Sequence, residues 1–163
     1  MENEDRGNLV LRYSECVSPM ITPHALIRLK ENTALDKETL LRMLEWGAYG
    51  IVCQIEPDKE RHIKRQLLLV VYDKKKGQPC LLVLENDIFG WELLTIYSTY
   101  EFHRRRDFVV IKPETIQYAL GAQKSFERGA KKSKTYYDVA IVIIEKDKTG
   151  RRRSFSKVFG TIL

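Results

Sequence analysis

The spacing of apolar and polar positions changes once along the chain, from a helical period to a strand period. Between residues 21 and 47 apolar side chains recur every three or four positions, which predicts two helices. The first runs from Pro23 to Asn32, with Thr22 as N-cap and proline at the first helical position. The second begins after an Asp36 N-cap and ends at Gly47.

Strand-like segments follow the two helices. Three of them, "RQLLLVVYD", "PCLLVLEN" and "WELLTIYSTYEF", come after an earlier strand "YGIVCQIE" and are separated by the turns "KKKGQ" and "DIFG". The three are apolar on both faces, so something covers each side of the sheet, with helices on at least one side. A short first strand is predicted in "NLVLRYSECV", before the helices.

The C-terminal part repeats the alternation of element types. A basic run leads into a strand in "HRRRDFVVIK", a helix begins at Pro113, and a hairpin turns around residues 148–150. We therefore predict an α+β fold in which two N-terminal helices pack on an antiparallel β-sheet, within residues 8–102. Residues 103–163 would form a C-terminal strand–helix–hairpin extension.

Composition predicts a globular protein of the cytoplasm. The chain has 163 residues, 44% of them hydrophobic, and no apolar run approaches the ~20 residues that span a bilayer. Its acidic start "MENEDRG" is unlike a secretory signal, so we expect no membrane partner. Three widely spaced cysteines without a CxxC pair indicate free thiols, a reducing compartment and no zinc site.

The charge is distributed unevenly between the two parts. Residues 1–102 carry 13 Lys/Arg and 16 Asp/Glu, whereas residues 103–163 carry 15 Lys/Arg and 6 Asp/Glu. The net charge of +6 therefore comes from the C-terminal part. This asymmetry indicates a polyanionic partner, nucleic acid first and an acidic protein second; the alternative is a basic surface that only aids solubility.

His24 and Arg28 stand four residues apart in the first helix, on the same side. The positive end of a helix disfavours a protonated imidazole, so a neutral fraction of His24 is expected near pH 7. The planar fork of Arg28 suits a phosphate group. The alternative is structural: His24 helps to cap its own helix, and Arg28 pairs with Asn32 or with a nearby acid.

The stretch "ITPHALIRLKENTALDKETLLRMLEWG" and the strands "LLLVVYD", "CLLVLEN" and "WELLTIYS" resemble a group of ribonucleases. The group comprises the RelE/BrnT-type toxins and the RegB-type phage endoribonucleases, within a larger set that includes barnase, EndoU and colicin-type enzymes. The resemblance covers about residues 20–98. It implies metal-free RNA cleavage, in which the 2′-OH attacks the adjacent phosphate, with His24 as acid or base and Arg28 at the phosphate.

The resemblance also implies further catalytic candidates. Basic residues on a strand hold the scissile phosphate in the related toxins, so Arg61 and Arg65 are plausible equivalents; the alternative is a solvated strand edge. Tyr97 would stack on a base or donate a hydrogen bond, although it and Thr95, on the same face, could equally be core residues. His103 would supply the second titrating group.

Aromatic residues stand beside runs of basic residues in two C-terminal segments, "TYEFHRRRDF" and "GRRRSFSK". Cations bind a nucleic-acid backbone and aromatic rings stack on splayed bases, so this mixture is typical of RNA binding. A solvated charge run is the alternative for the first segment, and oligomerisation or antitoxin binding for the hairpin. The predicted RNA-binding residues are Lys64, Tyr100, Phe102, Arg104, Arg105, Arg106, Arg151, Arg152 and Arg153.

These patterns lead to one functional expectation and one rival. The expected activity is a metal-independent endoribonuclease without a cofactor, toxin-like or a phage regulator of messenger RNA, acting on mRNA or ribosome-associated RNA. The rival is a non-catalytic regulator that binds RNA or host machinery. The acidic residues of "VLEND" leave a metal-dependent nuclease as a third alternative.

Overall fold

The computed structural model describes residues 18–56, 64–87, 90–105, 109, 111–130, 139–146 and 152–159. The helices found there are α1 (Pro23–Asn32), α2 (Lys37–Glu45), α3 (Thr99–Arg105) and α4 (Pro113–Glu127). The strands are β1 (Met20–Ile21), β2 (Gly50–Ile55), β3 (Gln66–Asp73), β4 (Gln78–Asp87), β5 (Gly90–Ser98), β6 (Val139–Lys146) and β7 (Arg152–Phe159). The strand predicted before residue 18 lies outside the described residues.

The strands form one mixed sheet in the order β1-β5-β4-β3-β2-β6-β7. Strands β2 to β5 are an antiparallel meander, and β6 pairs with β7 antiparallel, whereas β1 runs parallel to β5 and β6 runs parallel to β2. The predicted α+β class is confirmed, but the prediction of an antiparallel sheet is wrong at these two pairs. Their partners are separated in sequence by helices, and such crossovers allow parallel pairing.

Helices cover both faces of the sheet, and β3 shows why. Its odd-numbered apolar residues, Leu67, Leu69 and Val71, belong to a core cluster shared with α1 and α2. The even-numbered Leu68 and Val70 belong to a second cluster that contains side chains of α3 and α4. Strand side chains point alternately to opposite faces, so an apolar residue at every position requires cover on both.

The ends of the first two helices match their predicted caps. The Oγ1 atom of Thr22 accepts a hydrogen bond from the backbone N–H of Ala25 at 3.0 Å. The carboxylate of Asp36 accepts one from the backbone N–H of Thr39 at 2.7 Å. Each cap satisfies a backbone donor that the first turn of a helix leaves without an intrahelical partner.

The segment after β5 differs from its prediction. Residues 99–105 form α3 instead of extending the strand, and Phe102 is fully buried in the second core cluster. A strand was predicted after the basic run. Its described residues, Val109, Ile111 and Lys112, belong to neither a helix nor a strand. Burial of the phenyl ring fixes α3 against β4 and β5, which is a tertiary effect that local propensity does not reveal.

Helix α4 begins in close contact with β2. A Cβ atom added to Gly50 would lie 2.8 Å from the carbonyl oxygen of Thr115 and 3.0 Å from its Cγ2 atom. Glycine at this position therefore lets the helix reach the sheet. Within the described ranges, no helix is long and apolar enough to cross a membrane.

Candidate active site

Helix α1 lies along the outer edge of β5, where β1 ends. The backbone N–H of Thr22 donates to the carbonyl of Leu93 and its hydroxyl donates to that of Leu94, each at 3.2 Å. Further along, the Asn32 side chain donates to the carbonyl of Ile96 at 2.9 Å. These bonds satisfy edge carbonyls that would otherwise face water or another strand, and they hold both ends of α1 against β5.

A β-bulge changes the register of β5 beside this helix. Val83 of β4 pairs with Thr95, whereas the next residue, Leu84, pairs with Leu93, so Leu94 is the extra residue. Such a bulge increases the local twist and changes the direction of the side chains that follow it. Beyond the bulge, Tyr97 packs against the second core cluster, on the face to which Val83 belongs.

A cavity of about 370 Å³ lies between α1, β4, β5 and the start of α3. This volume is within the range of small-ligand sites in proteins. The residues that line it are His24, Arg28, Val83, Leu94, Thr95, Tyr97 and Glu101.

Four contacts, one of them around His24 and three around Arg28 and Glu101, organise the polar side of the cavity. The Nε2 atom of His24 lies 3.4 Å from the Oγ1 atom of Thr95. Arg28 forms ion pairs with Glu101 and, at 3.3 Å, with Glu31, and Asn32 lies 3.4 Å from the same Glu101 oxygen. The cavity thus contains an imidazole, a guanidinium and a carboxylate together.

Three predicted catalytic residues meet at this cavity: His24, Arg28 and Tyr97. The alternative view of His24 as a helix cap does not describe the structure, because Thr22 makes the cap. The alternative view of Arg28 does apply, since the guanidinium pairs with two acids. Arg28 therefore lines the cavity and is also paired with two carboxylates.

Glu101 is the cavity residue that sequence reasoning missed. It follows β5 by three residues and lies in α3, and its backbone N–H donates to the Ser98 hydroxyl at 3.3 Å. Its side chain is 25% exposed, whereas that of Glu31 is 55% exposed. The available signal was an acidic residue just beyond the strand that carries Thr95 and Tyr97.

Arg65 does not line the cavity, which corrects its predicted place at the phosphate with Arg28, and Lys64, predicted to bind RNA, does not line it either. They precede β3, and the pairing of Gln66 with Glu85 and of Glu85 with Glu92 places them two strands away from β5 and past the lining residues Val83 and Leu94. Arg65 lies instead 3.9 Å from Glu56, and Lys64 lies 3.9 Å from Glu85.

The predicted RNA-binding aromatics separate into two kinds. Phe102 is fully buried, so the prediction that its ring stacks on a base is wrong; core packing uses the whole ring. Tyr100 is 73% exposed, and Arg104 is exposed as well. These two side chains remain available to a ligand at the surface.

The other candidates lie where their side chains are not described. Arg61, Arg106 and Arg151 are outside the described residues. His103 and Arg105 belong to α3, and Arg152 and Arg153 to β7, by their backbone alone. Their predicted roles stay predictions.

No group of three or more His, Cys, Asp or Glu side chains in the described part of the chain is arranged to hold a metal ion. Comparison of the chain with protein-family models, with curated proteins and with solved structures gives no match.

Proposed function

We propose that the protein is a metal-independent endoribonuclease that cleaves RNA by attack of the 2′-OH on the adjacent phosphate. The observation that carries this proposal is the grouping of His24, Arg28, Tyr97 and Glu101 around one cavity. The reaction requires a proton acceptor, a proton donor and stabilisation of negative charge on the phosphorane, and these side chains can supply all three.

Each side chain has a role that its chemistry supports. His24 and Glu101 are the two titratable groups, one to take the 2′ proton and the other to protonate the leaving 5′ oxygen. Glu101 thereby takes the place that the sequence had assigned to His103. Arg28 binds the phosphate. The Tyr97 hydroxyl donates a hydrogen bond to an oxygen of the substrate, or the Tyr97 ring stacks on its base.

Arg28 can bind phosphate although carboxylates already contact it. A guanidinium has five N–H donors in a planar fork, and its bonds to Glu31 and Glu101 use one nitrogen each. The phosphate would share the guanidinium with Glu101 or displace it. Displacement would leave the carboxylate of Glu101 free to contact the 2′-OH.

The decisive experiment incubates labelled single-stranded RNA with the protein in EDTA and analyses the ends of the products. Cleavage that leaves 2′,3′-cyclic phosphates, is lost in His24→Ala and persists in Lys30→Ala supports the proposal. Lys30 is a matched control because it is exposed on the same helix and does not line the cavity. Cleavage that EDTA abolishes would instead support the metal-dependent nuclease.

The second candidate is a non-catalytic regulator that binds RNA or host machinery. The ion pairs of Arg28 favour it, because a guanidinium held by two acids is less available to a scissile phosphate. An RNA mobility shift without cleavage, at any of several pH values, would support this candidate over the enzyme.

The remaining expectations belong with the enzyme proposal. They comprise membership of the RelE/RegB-like group, action in the cytoplasm on mRNA or ribosome-associated RNA, and a toxin-like or phage regulatory role. They also include a ribonuclease core at residues 8–102, with the two N-terminal helices packed on its sheet. Residues 103–163 would be an extension whose hairpin contacts RNA, an antitoxin, a host protein or a second copy.

A further inference from the structure

Tyr100 is the most exposed large apolar side chain in the described part of the chain. Its exposed fraction is 73%, against 68% for Met20 and 57% for Ile27. Apolar side chains at single surface positions are common, so exposure alone says little. What distinguishes Tyr100 is its neighbour in the sequence, Glu101, which lines the cavity.

The geometry of α3 fixes the direction of its side chains. Phe102 is fully buried and anchors one side of the helix to the sheet. Tyr100 lies two positions earlier, about 200° around the helix, and so faces away from that core. Arg104 is four residues after Tyr100 and lies on the same face as its ring. Both are exposed.

Tyr100 and Arg104 therefore form an aromatic and cationic face beside the cavity. Glu101 lies about 100° from Tyr100 around the same helix, so this face adjoins the cavity wall. An aromatic ring stacks on any base, and an arginine binds the phosphate next to it. We infer that the exposed face of α3 is a subsite for the base and phosphate that neighbour the nucleotide in the cavity.

A single-stranded RNA fits this face better than a protein partner does. A stable protein interface needs about 800 Å² from each partner with a central apolar cluster, whereas the side chains described on this face are one ring and one cation. Single-stranded RNA presents a π-face and a phosphate at each nucleotide, which matches an aromatic residue paired with an arginine. The inference rests on the proposed ribonuclease function and specifies how its substrate extends beyond the cavity.

Binding of non-cleavable RNA tests the subsite independently of catalysis. Fluorescence anisotropy would give the Kd of labelled 2′-O-methyl dinucleotides and tetranucleotides for the full chain. We expect Tyr100→Ala to weaken tetranucleotide binding about five- to 150-fold, the loss typical of one base–aromatic stack, and to leave dinucleotide binding nearly unchanged. Tyr100→Phe should retain tight binding, because the ring and not the hydroxyl makes the stack.

Two further variants complete the test. Met20→Ala is the matched control, because Met20 is similarly exposed but lies in β1, where it pairs with Glu92, and does not line the cavity. Arg104→Gln should reduce the slope of log affinity against log salt by about 0.7, the value for one phosphate contact on a single strand. Thermal melting checks that each variant is folded.

The outcomes separate the subsite from the enzyme. If Tyr100→Ala binds the tetranucleotide as tightly as the wild type does, the subsite is overturned. This holds even if the wild-type protein cleaves RNA, or if the substitution abolishes binding of a protein partner. Tyr100-dependent binding without any cleavage by the wild-type protein supports the subsite and overturns the ribonuclease. If Met20→Ala weakens tetranucleotide binding as well, the subsite is also overturned, because the effect would not be specific to α3.

Discussion

Arg28 and Glu101 are 73 residues apart in the sequence and form an ion pair in the wall of the cavity. Their side chains are 20% and 25% exposed, so water screens the pair less than a fully exposed one. The carboxylate balances the positive charge that would otherwise attract an anion. Under the proposed function, Glu101 would therefore determine how strongly the cavity binds phosphate before any reaction occurs.

Replacing Glu101 by glutamine should separate binding from catalysis. In Glu101→Gln the guanidinium loses its most buried anionic partner, so non-cleavable RNA should bind more tightly, whereas cleavage should fall by about 100- to 10,000-fold if the carboxylate transfers a proton. The free energy of unfolding should decrease by about 1–3 kcal/mol, since a charge-assisted hydrogen bond is lost. Anisotropy, single-turnover cleavage and urea denaturation measure the three effects.

Glu31→Gln is the control for this variant. Glu31 is also a partner of Arg28, but its side chain is 55% exposed and it lies on the same helix, at i+3. Loss of such a pair should cost less than about 0.5 kcal/mol and leave cleavage nearly unchanged. Equal effects of the two variants on RNA binding would contradict a special role for Glu101.

Two glycine-to-alanine variants should have effects of opposite sign. In Gly50→Ala the new Cβ atom would lie 2.8 Å from the Thr115 carbonyl oxygen, a backbone atom that cannot move without shifting α4. We expect a loss of about 1–3 kcal/mol of stability. In Gly121→Ala, in the middle of α4, no heavy atom lies within 4 Å of the added carbon, so stability should rise by about 0.5–1 kcal/mol. Urea denaturation of both variants checks the signs.

The N-cap of α2 should make stability depend on acid pH. Hydrogen bonds from Thr39 hold the pKa of the Asp36 carboxyl below its ordinary value of 3.8. Because the pKa of Asp36 is lower in the folded state than in the unfolded state, its ionised carboxylate stabilises the fold fully above the unfolded-state pKa. This stabilisation is lost as the pH falls through the folded-state pKa.

Asp36→Asn isolates the charge, because asparagine also caps helices. Its Tm should lie below that of the wild type at about pH 7, and the difference should close as the pH falls through the folded-state pKa of Asp36, which lies below 3.8. Asp36→Ala should have a lower Tm at neutral and at acid pH, because it removes the cap itself. Circular-dichroism melts over this pH range measure the Tm values. A Tm difference between Asp36→Asn and the wild type that does not change with pH would contradict the role of the charge.

Cys80 should be unreactive in the folded protein. Burial, together with the nearby Asp73 carboxylate, raises the pKa of its thiol from 9.0 to about 12. Alkylation at about pH 8 should therefore label Cys80 in urea but not in the native state, which peptide mass spectrometry can measure. Because the folded-state pKa is the higher one, this thiol stabilises the fold fully below pH 9.0, and its contribution falls as pH rises toward 12.

The hydrophobic pattern predicted most of the elements but not two of the strand pairings. Helix α1 has its predicted bounds, Pro23 to Asn32, because its cap and its proline are local signals. The parallel pairs of β1 with β5 and of β2 with β6 depend on how the chain crosses the sheet, which no local pattern encodes. Helix α3 was missed because burial of one ring, Phe102, outweighs the strand-like pattern around it.

The candidate site was predictable only on one helix and one strand. His24 and Arg28 were found because their spacing places them on one side of α1, and Tyr97 because the resemblance to the toxin ribonucleases implies an active group on this strand. The contact of Glu101 with Arg28 depends on the β5 bulge and on the turn into α3. A contact across so many residues is set by tertiary packing, so sequence spacing could not reveal it.

The side chains of Thr22 and Asn32 donate hydrogen bonds to backbone carbonyls of β5, and these bonds limit how the protein could evolve. The same hydrogen bonds that position His24 and Arg28 also prevent β5 from recruiting a foreign strand, so α1 protects against aggregation as well as carrying the site. A shift of α1 that enlarged the cavity would uncover that edge. Adaptation to bulkier ligands should therefore proceed through changes in α3, leaving the first helix nearly fixed.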